Sequence, residues 1–120
     1  MLLNCLFVGL GGFVGSILRY LATLLPLGTS FPVKTLVINV LGSFVLGLVC
    51  ALVARHVNAS PQLVLMLKVG LCGGFTTFST FALETSDLLQ GGAWPAALAY
   101  AAASVVLSVG AVFAAEALAG

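Results

Sequence analysis

Charged side chains are nearly absent from this chain. Only 6% of its 120 residues are charged, four basic and three acidic. Ordinary soluble domains carry about 25%. Seven charges cannot supply the polar skin that a water-soluble domain of this length needs. This scarcity excludes a soluble globular enzyme. It also excludes a nucleic-acid binder, which needs a basic patch. Cysteine is scarce as well. Cys5, Cys50 and Cys72 are odd in number and widely spaced, with no CxxC pair, so neither a disulfide framework nor a zinc site is indicated. They read as small apolar residues. The single histidine, His56, reads as a solvated loop residue beside Arg55, with no partner at metal-ligand spacing. No GxSxG, Walker A or HExxH pattern occurs. Met1-Leu2-Leu3-Asn4-Cys5 has no basic n-region, so it reads as the start of a helix and not as a signal peptide.

What the chain does contain is apolar. Such residues make up 62% of it, and fourteen glycines come on top. That composition excludes disorder and requires a bilayer as solvent. A span takes about 20 apolar residues, so four spans leave only about 40 residues for loops and tails. The whole chain, 1–120, is therefore one all-α membrane domain. Its helices are expected over about 2–25, 33–54, 62–90 and 95–118. Pro26, Gly28, Thr29, Ser30 and Pro32 mark the first connection. Trp94 is placed as an interfacial anchor before the last helix.

The third segment differs from the others. Between Lys68 and Glu84 runs Gly70-Leu71-Cys72-Gly73-Gly74-Phe75-Thr76-Thr77-Phe78-Ser79-Thr80-Phe81. Paired glycines followed by Thr-Thr and Ser-Thr make a poor continuous helix. One reading is a helix broken near mid-membrane, where irregular backbone survives only if protein buries it or it lines a wet cavity. Such breaks bind ions through freed carbonyls and amides. The other reading is an ordinary helix that uses small residues for close packing. Gly11 to Gly15 forms a GxxxG of the packing kind.

Basic residues are balanced between the two sides. Arg19 and Lys34 fall toward the first loop, Arg55 and Lys68 toward the second. The positive-inside rule then gives no orientation. A chain that inserts both ways can pair with an opposed copy as an antiparallel dimer.

Polar residues are aligned along helical faces. Thr35, Asn39 and Ser43 recur every fourth residue on the second helix; Tyr100, Ser104 and Ser108 do so on the fourth. Phe78 and Phe81 lie one turn apart beside Ser79 and Thr80. Each polar residue has two readings: interhelical glue, or a donor to a passing anion. For the phenylalanines the choice is between packing and a positive ring edge that faces an anion. Taken together, the stripes describe a narrow, neutral, donor-lined path that favours a small anion. Arg19 reads as an interfacial snorkel or as a source of long-range positive potential. Glu84 and Asp87, three apart near a helix end, read as a solvated helix face in preference to a carboxylate pair.

Three local patterns carry a resemblance. They are Gly11-Gly12-x2-Gly15-x3-Arg19-Tyr20, Thr35-x3-Asn39-x2-Gly42-x-Phe44, and the run from Gly70 to Phe81. In length, four-helix layout and motif order the chain resembles the Fluc (CrcB) family of small fluoride channels. The resemblance implies passive export of toxic fluoride from the cytoplasm, across a bacterial-type inner membrane. It implies a dual-topology, antiparallel homodimer in the lipid bilayer, with two pores. Fluoride would pass Asn39, Phe78, Phe81, Ser79, Thr80, Tyr100, Ser104 and Ser108. Arg19 would sit in the vestibule. A central structural sodium ion would be held by the backbone carbonyls of Gly73 and Thr76. No organic cofactor and no nucleic-acid partner are implied. Two positions depart from the family pattern: Lys34 stands where glycine is common, and Val112, one turn past Ser108, has no hydroxyl.

Two rivals compete with this reading. A small dual-topology, proton-coupled exporter needs an embedded carboxylate, but Glu84, Asp87 and Glu116 all sit near segment ends. A non-transporting structural subunit would use glycines and hydroxyls for packing alone, which leaves the aligned polar stripes without a common purpose.

Overall fold

The computed structural model describes residues 1–27, 31–55 and 58–120. The expected turn at Gly28, Thr29 and Ser30 and the loop reading of His56 lie outside these. Every regular element among the described residues is helical: α1 (Leu2–Thr23), α2 (Val33–Arg55), α3 (residues 61–75), α4 (Phe78–Gln90) and α5 (Trp94–Ala119). α3 and α4 form one long span, Pro61–Gln90. The shortest of the four spans has 22 residues. At about 1.5 Å per residue it matches a hydrocarbon core about 30 Å thick. The chain is a multi-pass integral membrane protein.

Sequence signals fix most of the ends. α1 stops at Thr23, two residues before its expected end at Leu25. Pro26 disfavours helical backbone at Leu25, and the Lys34 ammonium donates to the Thr23 carbonyl at 2.7 Å, taking a helix-end acceptor. α3 begins at Pro61, capped by Ser60 Oγ, which accepts from the Leu63 amide at 3.2 Å. α4 ends on the Gly91-Gly92 turn, where Gly92 takes φ +80°, a conformation suited to glycine.

The helices associate as two parallel pairs, α1 with α3 and α2 with α5, while α4 leans on α5. Glycine makes the first pairing possible. A Cβ on Gly15 would come within 3.0 Å of the Phe75 amide, and one on Gly74 within 2.8 Å of the Gly12 carbonyl. One on Gly70 would meet the Val8 carbonyl at 2.7 Å. Backbone therefore lies on backbone, as the GxxxG reading requires. Within this contact α3 is π-helical from Met66 to Cys72, which the sequence did not announce. A π-turn takes more residues per turn and widens the helix where α1 presses on it. The second pair closes on Gly47, whose Cβ would lie 3.0 Å from the Val112 backbone.

The interior is small: Ile38, Ala51, Cys72, Ala97, Tyr100 and Ala115 are buried. Large apolar side chains such as Leu10, Phe13, Val106 and Phe113 face outward. In water that surface would drive aggregation; in a bilayer it is the ordinary outer face.

Candidate functional site

The long third span breaks between Phe75 and Phe78. Thr76 (ψ 157°) and Thr77 (φ −150°, ψ 114°) are extended. Both earlier readings of this segment are realised in sequence, since the glycines pack against α1 and the two threonines break the helix. Threonine suits the break because its hydroxyl bonds nearby backbone groups in non-helical conformations. Thr76 Oγ1 donates to the Cys72 carbonyl at 2.9 Å. Thr77 Oγ1 accepts from the Thr80 amide at 3.2 Å and donates to Thr80 Oγ1 at 3.0 Å, which caps α4.

Asn39 on α2 holds the break from the side. Its Nδ2 donates to the Thr77 carbonyl at 3.0 Å, and its Oδ1 accepts from the Thr77 amide at 2.8 Å. That amide would otherwise bond the Gly73 carbonyl four residues back. The Thr80 amide, turned to Thr77 Oγ1, likewise leaves the Thr76 carbonyl. Arg19 is anchored to the break. Its Nε donates to the Gly74 carbonyl at 3.1 Å. Helical side chains lean toward the N-terminus, so Arg19 reaches back along α1 to the end of α3, where a positive charge is favourable.

Beside the break, α2, α4 and α5 enclose a groove of about 290 Å³. Asn39, Ser43, Thr76, Thr77, Phe78, Phe81, Ser104 and Ser108 line it, and no carboxylate does. The Ser104 hydroxyl is buried with no hydrogen-bond partner. Such a group costs about 1–3 kcal/mol when left unsatisfied. Asn39 keeps a second Nδ2–H beyond the one spent on Thr77. The groove therefore presents donors with capacity to spare.

The structure gathers Asn39, Phe78, Phe81, Ser104 and Ser108 in this groove and places three other candidates elsewhere. Ser79 is exposed, 3.4 Å from Thr77 Oγ1. Thr80 serves the cap of α4. Tyr100 is fully buried and donates to Glu84 Oε1 at 2.9 Å. Its ring lies 5.0 Å from that of Phe81 and edge-on to Phe31 at 5.6 Å. Phe78 is 77% exposed, with its ring 5.5 Å from Phe81. Gly73 and Thr76 flank the last turn of α3. A Cβ on Gly73 would meet nothing nearer than the Lys68 carbonyl at 4.0 Å, so this side of the break is open.

Glu84 corrects the sequence reading. It is half-buried and bonded to Tyr100, so it is not part of a solvated face. The two residues lie on different helices, and no local pattern joins them. Thr77 was also missed as the hub of the break, although a threonine directly before a helical run is a recognisable N-cap.

Four spans, one of them broken at mid-depth beside a neutral donor-lined groove, define a small multi-pass membrane protein with an ion-handling type of backbone break. A family model described as "CrcB-like protein, Camphor Resistance (CrcB)" matches residues 6–116, and the chain belongs to this family. It is 44% identical over 120 residues to the "Fluoride-specific ion channel FluC" of Agrobacterium fabrum, which covers 98% of this chain and 96% of that protein. It is 47% identical over 118 residues to the protein of the same name from Rhizobium meliloti, at 96% and 94% coverage. The like-named protein of Shewanella denitrificans is 50% identical over 94 residues, at 76% and 75% coverage.

Proposed function

We propose that this protein is a fluoride channel that passively lowers cytoplasmic fluoride across a bacterial inner membrane. The observation that carries the reading is the unpartnered Ser104 hydroxyl, buried in a carboxylate-free groove. The relatives named as fluoride-specific channels supply the ion. Fluoride is small and holds its water strongly, so a path must replace hydration with several donors in little space. The Asn39 amide, the Ser104 and Ser108 hydroxyls and the ring edges of Phe78 and Phe81 offer such donors. None carries a fixed positive charge that would trap the ion. Tyr100 would join the path only by leaving Glu84, whereas the Thr80 hydroxyl, which accepts from Thr77, keeps its own O–H to donate.

The working unit would be an antiparallel homodimer with two pores. Balanced basic residues support dual insertion. The open side of Gly73 and the exposed ring of Phe78 leave room for a second copy at the break. The Gly73 and Thr76 carbonyls suit a hard cation such as sodium, because the amides that would bond them are engaged by Asn39 and Thr77. A bound sodium ion would neutralise carbonyl dipoles that face one another at the dimer centre. Arg19, bonded to Gly74, holds the break against α1.

The test is ion efflux from liposomes that contain the purified protein. Valinomycin clamps the potential, and fluoride and chloride electrodes read parallel samples. Fast fluoride efflux with little chloride efflux supports the channel. Folded, dimeric protein that passes neither ion favours a structural subunit instead.

A further inference from the structure

A second groove lies around α2 from the first, sharing only Gly42 with it, and contains none of the donors of the proposed path. It occupies about 460 Å³ between α1, α2 and α3, and opens sideways to the surroundings of the helices. Leu18, Leu21, Leu25, Leu41, Val45 and Phe75 supply most of its wall, with no charged side chain. A groove without donors does not suit an ion. It suits hydrocarbon, and the bilayer core surrounds it.

Its end toward the first loop is different. Ala22 and Leu25 line the groove there. Between them in sequence stands Thr23, whose carbonyl receives the Lys34 ammonium at 2.7 Å. α1 ends at this residue after 22 residues, about the thickness of the hydrocarbon core, so the ammonium lies at headgroup depth. An ammonium carries three N–H groups, and Thr23 takes one. No carboxylate pairs with Lys34 among the described residues. A positive charge at the interface, set over an apolar slot that runs into the membrane, matches a lipid with an anionic head and an acyl tail.

We propose that this groove binds an anionic phospholipid, with its phosphate at Lys34 and one acyl chain along Leu21, Leu25, Leu41 and Phe75. The site is separate from the conduction path and does not rest on it. The lipid would fill the wedge between the two helix pairs, which touch little there.

The test is native mass spectrometry of the intact protein, exchanged into equal amounts of phosphatidylglycerol and phosphatidylcholine. The wild type should retain phosphatidylglycerol about fivefold over phosphatidylcholine, as expected for one interfacial lysine. In 1 M NaCl the preference should fall toward unity. Lys34→Gln should abolish the preference while some lipid of either kind remains. Ala22→Trp, which fills the slot, should lose both lipids and keep the subunit count of the wild type. Equal retention of the two lipids by the wild type overturns the proposal, whatever the variants do. So does a Lys34→Gln protein that keeps the preference. If Ala22→Trp changes the subunit count and leaves lipid retention unchanged, a second copy occupies the groove and the proposal is wrong.

Discussion

Asn39 grips the Thr77 peptide on both of its polar faces, giving a donor to its carbonyl at 3.0 Å and an acceptor to its amide at 2.8 Å. One side chain on α2 thereby replaces the ladder bond that the Thr77 amide loses at the break and adds a second donor to the carbonyl that opens α4. Glue and pore donor, posed as alternatives on the sequence, are compatible, because an amide has two N–H groups and Thr77 uses one. Asn39→Ala should therefore damage stability and conduction together. Leaving the Thr77 amide unpaired should cost about 1–3 kcal/mol, read as a lower thermal midpoint in detergent. Fluoride efflux should fall to the background of empty liposomes. Unchanged efflux would remove Asn39 from the path.

The phenylalanines separate stability from conduction. Phe81 packs between Phe78 and Tyr100, with centroids 5.5 and 5.0 Å away, whereas Phe78 is largely exposed within the subunit. Replacing either with isoleucine keeps bulk and removes the ring edge. Efflux should fall about tenfold or more in both variants, the equivalent of about 1.4 kcal/mol at the barrier. Phe81→Ile loses two ring pairs and Phe78→Ile only one, each worth about 0.5–1.5 kcal/mol, so Phe81→Ile should lower the thermal midpoint more. Efflux near the wild-type rate in both would end the ring-edge assignment.

The pair Tyr100 and Glu84 closes the loop-one end of the α4–α5 contact. Tyr100→Phe keeps the ring stack and leaves the carboxylate without its donor. A hydrogen bond to a charged group contributes about 1.5–3 kcal/mol, and the thermal midpoint should drop accordingly. Glu84→Gln retains a carbonyl oxygen that can accept from Tyr100, so it should lose less than Tyr100→Phe. Equal losses would mean that the bond contributes only when its acceptor is the charged carboxylate, and that a neutral amide oxygen does not replace it.

The fold was legible in the sequence where the signal is local. Long apolar runs gave four spans. The paired glycines and threonines from Gly70 to Thr80 gave a break, because each residue there weakens a helix by its own backbone preference. Gly11 and Gly15 announced a close crossing because residues without a side chain, four apart, let two backbones touch. The π-helical stretch at Met66–Cys72 was hidden, since it reflects how α1 seats on α3 and not the propensity of any residue. The site was legible as stripes: Asn39, Ser104 and Ser108 do meet in one groove. Period alone could not show that Tyr100, on the same stripe as Ser104, turns to Glu84. Nor could it send Arg19 to Gly74, because both bonds join residues on different helices.

Two glycines near the break should behave in opposite ways. Gly15 lies against the α3 backbone, where a Cβ would meet the Phe75 amide at 3.0 Å and press on the Leu71 carbonyl. Backbone on both sides cannot yield, so Gly15→Ala should destabilise the subunit by about 1–3 kcal/mol or more and abolish expression of folded protein. Gly9, with nothing within 4 Å, is the control, and its alanine variant should fold at least as well as the wild type. Gly73 also has open space within the subunit, so Gly73→Ala should keep its helicity. If its carbonyl helps hold sodium between two copies, the added methyl intrudes only in the dimer. Gly73→Ala should then show weaker dimerisation and slower efflux. Wild-type efflux should likewise fall when sodium is replaced by N-methylglucamine on both sides of the liposome. A Gly73→Ala protein with wild-type dimerisation, together with wild-type efflux indifferent to sodium, would leave the Gly73 and Thr76 carbonyls without a metal to hold.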